Sequence, residues 1–224
     1  MSEPQPTLPA ILTTLLSTTR LAHPPSHATH PSLTSAISSL LLHPTLEATL
    51  HILNGDLPSA HFLVRHMQAP PAIEGMLLHS ILHRCEGDMQ NARLWASDVR
   101  DAGEGWVPKH KGEKKLEAEV VDRIGGKEND EHSNVVEFVY ENDKEEMERL
   151  IDDVGKIRTE RRSQGEAELE NRIRNELEKV LEWCRRKFGD GEWLDASAAW
   201  VKDSEDLRRK GEDMVSGGKG WREF

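Results

Sequence analysis

The chain has 224 residues and is short of most features that mark a specialised class. Its two cysteines, Cys85 and Cys184, are too few for a disulfide framework or a cysteine-rich zinc site. No apolar run approaches the roughly eighteen residues of a membrane span. The opening MSEPQPTLPA has an acid and prolines where a secretory signal would be basic. These absences predict a cytoplasmic or nuclear protein, with cytoplasm favoured, and no membrane partner. Basic stretches are also missing: Arg161-Arg162 follows Glu160 and is soon followed by Glu166. With 29 bases against 40 acids and a net charge of −11, no nucleic-acid partner is expected. There is no glycine-rich phosphate loop and no nucleophile elbow. One tyrosine and four phenylalanines leave the core to Leu, Ile, Val, Ala and a few Trp.

What is present divides in two. Residues 1–100 carry 7 acids, 5 bases and nine of the eleven histidines, whereas residues 101–224 carry 33 acids and 24 bases. The apolar spacing throughout is helical, which predicts an all-α fold of paired antiparallel helices, tetratricopeptide-like or an irregular bundle. We expect an N-terminal helix and a His/Pro loop in 1–30, with helical hairpins in 31–100. A charged link with short helices fills 101–165, C-terminal helices packing on the core fill 166–215, and a tail 216–224 ends the chain. Val135–Tyr140 has strand-like composition, but with no second strand to pair with it reads as helix or irregular. The longest periodic element is Glu166–Phe188, with Leu169, Ile173, Leu177, Val180, Leu181, Cys184 and Phe188 on one stripe. Its acids lie at the start and its bases at the end, as the helix dipole favours. A last helix is expected over about Leu194–Met214.

Two segments align without gaps. Gly55-Asp56-Leu57-Pro58-Ser59-Ala60 lies 32 residues before Gly87-Asp88-Met89-Gln90-Asn91-Ala92. In each, glycine ends one helix, aspartate caps the next, and a small alanine lets the two helices approach. The offset is close to the period of about 34 residues of tetratricopeptide helix pairs.

The densest chemistry follows in HSILHRCEGD. His79, His83 and Glu86 stand at i, i+4 and i+7, on one helical face. Two imidazoles and a carboxylate could bind a divalent metal with a position left for water. They could also serve acid–base chemistry, with Asp88 as a further catalytic carboxylate and Arg84 and Asn91 orienting an anionic substrate. Trp95 could form a ligand wall, and His61, paired with His66, could converge on the same face. The repeat gives a simpler account. His51 is the counterpart of His83, so histidine at this place suits hydrogen bonding between hairpins. Structural hydrogen bonding is the favoured reading, and a divalent metal is possible but not favoured. Both cysteines read as core fillers.

The same stretch resembles a family of small, mostly uncharacterised helical proteins of fungi, with relatives in bacteria and plants. Its members read His-x-x-x-His-Arg-x-Glu-Gly-Asp-x-x-Asn-Ala-x-x-Trp, matched here by His79, His83, Arg84, Glu86, Gly87, Asp88, Asn91, Ala92 and Trp95. Leu78, Leu94 and Ala96 depart from it, where relatives often carry aromatics. Gly55–Met67 and Leu181-Glu182-Trp183-Cys184 are also similar, so the resemblance covers about residues 45–100 and part of the long helix. It implies a helical fold and no particular reaction. The expected function is a binding or scaffold module for a protein, peptide or small-molecule partner. The alternative is a metal-dependent hydrolase or other enzyme built on His79, His83 and Glu86.

Overall fold

Two glycine–aspartate turns organise the first half of the molecule, seen here in a computed structural model that describes residues 6–109, 112–126, 131–141, 143, 145–160 and 164–201. At the first turn, helix α3 (Pro44–Leu53) gives way to α4 (Leu57–Val64); at the second, α5 (Ile73–Glu86) gives way to α6 (Met89–Gly103). Gly55 and Gly87 take φ values of +69° and +95°, a left-handed backbone that a side chain resists. Both turns close with the same bond: Asp56 N–H donates to the His51 carbonyl and Asp88 N–H to the His83 carbonyl, each at 2.9 Å. The aspartates then cap the next helix, Asp56 accepting from Ser59 N–H and Asp88 from Asn91 N–H.

Before these pairs come α1 (Leu8–Thr18) and α2 (Pro31–Ser38); after them come α7 (Ala118–Ile124), α8 (Val135–Tyr140), α9 (Glu146–Glu160) and α10 (Glu166–Phe188). Among the described residues the protein is all-helical, with ten α-helices, a 3-10 turn at Ala196–Ala199 and no strand. Val135–Tyr140 is helical because the Asn134 side chain caps it, accepting from Val136 and Glu137 N–H. The helix expected over Leu194–Met214 is corrected as far as Val201. That part holds only the 3-10 turn, and its remainder, with the tail 216–224, lies outside the described residues.

One core runs from Ile11 to Cys184 and draws on every helix except α7's outer face. The expected link contributes to it directly: Met147, Leu150, Ile151 and Val154 of α9 are buried. Its charge run is therefore only half solvated. Three polar ties bind the halves together. Arg84 forms a two-pronged ion pair with Glu176, which also accepts from Tyr140 Oη at 2.6 Å. Glu170 accepts from Leu21 and Ala22 N–H at 2.8 and 2.9 Å. Arg158 donates to the carbonyls of Leu21, Ala22, Arg84 and Cys85. Each group is buried or half-buried and each charge is answered, as the low dielectric requires. Among the described residues no helix is long and apolar enough to cross a membrane.

Candidate functional site

Helical spacing places His79 and His83 one turn apart on α5, with Glu86 at its end. Packing of α4 against α5 adds His61. The Glu86 carboxylate then reaches two rings: His61 donates Nδ1–H to Oε1 at 3.2 Å, and His83 Nδ1 lies 3.0 Å from Oε2. The second contact is an ionic approach off the line of a hydrogen bond, so His83 Nδ1 has no true hydrogen-bond partner. His61 meets His79 and His83 edge-on, with centroids 5.9 and 5.5 Å away. His79 stacks on Trp95 of α6 at 4.2 Å and 13°.

Exposure grades across this cluster. His79 is 1% exposed, and its Nδ1 is buried without a hydrogen bond. Burial, then the adjacent His61 and His83, lower its pKa to about 3, so the ring is neutral. The His61 and Glu86 side chains are partly open and line a solvent-connected groove of about 710 Å³. Leu57, Pro58, Pro24 and Pro25 form the groove's apolar walls, and Asp56 adds a second carboxylate.

Other residues singled out in the sequence lie elsewhere. Arg84 is not a ligand-binding group: one residue past His83 rotates it about 100° into the core, where Glu176 takes it. Asp88 and Asn91 form a capping unit, with Asn91 Nδ2 donating to Asp88 Oδ2 at 2.6 Å. Those bonds hold the Asp88 carboxyl below the usual carboxylate range. His66 leaves His61 to pack beside Trp200, with centroids 4.9 Å apart. His51 is buried between Asp56, Glu47 and Ser38. Both cysteines are buried, and burial pushes the Cys85 thiol up to about 11, as suits a core filler.

The metal set His79, His83 and Glu86 is not formed. Among the described residues no group of three His, Cys, Asp or Glu side chains is arranged to hold a metal ion. Glu86 is already engaged by two imidazoles, and His79 is turned onto Trp95. What the arrangement provides is a carboxylate hydrogen-bonded to one ring through Nδ1 and close to a second, while no described residue is bonded to the Nε2 atom of either. Compared with family models, curated proteins and solved structures, the chain finds no match in any of the three.

A second concave region went unseen in the sequence. A cavity of about 840 Å³ opens between His43, Phe188, Trp193 and Trp200, with Glu74 and Lys187 in its lining. His43 stands alone before Pro44 in the sequence, and its partners come about 150 residues later. The only available signal was the run of aromatics after Phe188, namely Trp193 and Trp200.

Proposed function

We propose that this protein is a binding module of tetratricopeptide-like paired helices, acting in the cytoplasm or nucleus. It captures a segment of a protein partner in the groove that ends at His61 and Glu86. The observation that carries this reading is the solvent-connected groove itself, lined by Pro24, Pro25, Leu57 and Pro58 and bounded at one end by His61 and Glu86. Proline and leucine walls suit an extended apolar segment, and the partly exposed Glu86 carboxylate favours a basic side chain at its end. The motif from His79 to Trp95 supports kinship with the fungal helical family it resembles. Affinity capture with the intact chain tests the proposal, using Glu86→Gln and the core-disrupting Ala92→Trp as comparisons. A specific partner should be retained by the wild type, weakened about 10-fold by Glu86→Gln, and lost by Ala92→Trp. Equal retention by the wild type and Glu86→Gln overturns the reading.

One observation favours a second reading: Glu86 is hydrogen-bonded to His61 through Nδ1 and lies beside His83, and among the described residues nothing is bonded to the His61 or His83 Nε2 atom. That is the arrangement of a metal-free general base. Turnover of an activated ester that is unaffected by chelator and abolished in Glu86→Gln would support it. Turnover that survives Glu86→Gln would exclude it.

A further inference from the structure

The cavity beside His43 has walls, a donor and a charge balance that together specify a ligand. His43 is 3% exposed and caps α3, its Nδ1 lying 3.3 Å from Thr45 N–H and 2.7 Å from Thr45 Oγ1. A backbone amide only donates, so Nδ1 is the acceptor and the ring proton sits on Nε2. Burial, followed by the nearby Lys187 charge, lowers the His43 pKa to about 3, which keeps the ring neutral. No described residue accepts from Nε2–H, and the ring lines the cavity. The site therefore presents one fixed donor and lacks its acceptor.

Aromatic surfaces surround that donor. Phe188 stacks on His43 at 3.6 Å and 2°, and Trp193 meets it edge-on at 4.4 Å and 87°. Trp200 completes the lining. The segment carrying both tryptophans is tied down at two points. Trp193 N–H donates to the Leu41 carbonyl at 2.6 Å, and Val201 N–H donates to the His66 carbonyl at 2.9 Å. The walls are thus held in place by backbone bonds before any ligand arrives, which lowers the ordering cost of binding.

Charge decides the rest. Lys187 is committed to Glu74 at 2.8 Å and to the carbonyls of Arg123 and Ile124, both at 2.9 Å. Glu74 is further held by Trp183 Nε1–H at 2.8 Å. Asp122 and Arg123 add one charge of each sign at the rim, so the lining is balanced. With these charges cancelling, the lining has no net charge to favour an ion over a neutral ligand. We propose that this cavity binds a neutral, planar aromatic molecule carrying a hydrogen-bond acceptor, with the rings among Phe188, Trp193 and Trp200 and the acceptor on His43 Nε2–H. Its volume lies within the ordinary range for small-molecule sites, about 300–1,000 Å³.

Quinoline and naphthalene have the same shape, and only quinoline has an acceptor; N-methylquinolinium adds a charge and removes that acceptor. Each is titrated into the intact chain by calorimetry, with the ¹⁵N signals of the histidine rings followed in parallel. Quinoline should bind about 5-fold more tightly than naphthalene, as one hydrogen bond provides, and more tightly than N-methylquinolinium. Its addition should shift the His43 ring and leave His79 unmoved. His43→Phe, which retains the stack, should erase the preference for quinoline over naphthalene. Equal affinities in the wild type, no saturable binding, or a preference that survives His43→Phe overturns the proposal. If His43→Phe fails to fold, the wild-type ring shift decides: a His43 signal unmoved by bound quinoline also overturns it.

Discussion

The two glycine–aspartate turns share a backbone and differ in what covers them. At the first, the residue before glycine is Asn54, fully buried and bonded through Oδ1 and Nδ2 to the backbone of His30. Thr34 closes over Asp56 at 2.8 Å, and His51 beneath it is 1% exposed. At the second, Asn54 is replaced by Glu86, whose side chain is 30% exposed and faces His61 and His83. Asp88 has no Thr34 above it and binds Asn91 from its own helix. Residues 28–38 cover the side of the first turn where Asn54 and Thr34 bond, whereas at the second Glu86 keeps a partly exposed side chain at the groove. The same turn is thus built into the core at one place and carries a partly exposed carboxylate at the other, where His61 and His83 lie against it.

The comparison can be broken first at Arg84, whose counterpart 32 residues earlier is Ile52. Glu176→Gln leaves the Arg84 guanidinium buried without its counter-charge and should destabilise the protein by about 3–5 kcal/mol. Ile52→Val at the equivalent place should cost about 1 kcal/mol. Urea unfolding measures both, and equal losses would sink the contrast.

Acid provides the next test. The folded pKa of His79 is depressed to about 3, so below its unfolded value of 6.5 the unfolded chain takes up the proton first. The stability that neutral His79 contributes is therefore complete above pH 6.5 and is lost as pH falls toward 3. Between pH 7 and 5 this amounts to about 2 kcal/mol. His79→Phe should flatten the stability–pH curve by that amount; an unchanged slope would assign the acid sensitivity elsewhere.

The smallest effects lie at the glycines themselves. Gly87→Ala should cost about 1 kcal/mol for the left-handed backbone, with a further loss where the added Cβ, 3.1 Å from Arg158 Nη1, crowds the bond that this atom donates to the Arg84 carbonyl. Gly55→Ala should cost about 2 kcal/mol, since its Cβ meets the rigid Pro25 ring at 3.0 Å. Thermal melts of the pair would overturn this ordering if Gly87→Ala proved the more costly.

Local pattern made much of this fold legible. Apolar period and turn chemistry predict α3 to α6 and the stripe of α10, and the i, i+4, i+7 spacing of His79, His83 and Glu86 puts them on one face. Contacts far apart in sequence were beyond its reach. Arg84 reads as a site residue until Glu176, 92 positions later, is seen to bury it. His61 and His66 read as a pair until α5 claims one and Trp200 the other. The buried Glu170 and Glu176 look like ordinary surface acids of a charged helix, because the groups they satisfy belong to Leu21, Ala22, Arg84 and Tyr140.

The clasp that Arg158 and Glu170 place on the Leu21–Ala22 segment and the end of α5 also sets a timetable. A chain still emerging from the ribosome has those amides and carbonyls in its first ninety residues, yet no partner for the carbonyls until residue 158, or for the amides until residue 170, has been made. The hairpins that carry the histidine cluster are synthesised early and locked late. The frame around that cluster is complete only once α10 has been made and Glu170 and Glu176 can reach their partners.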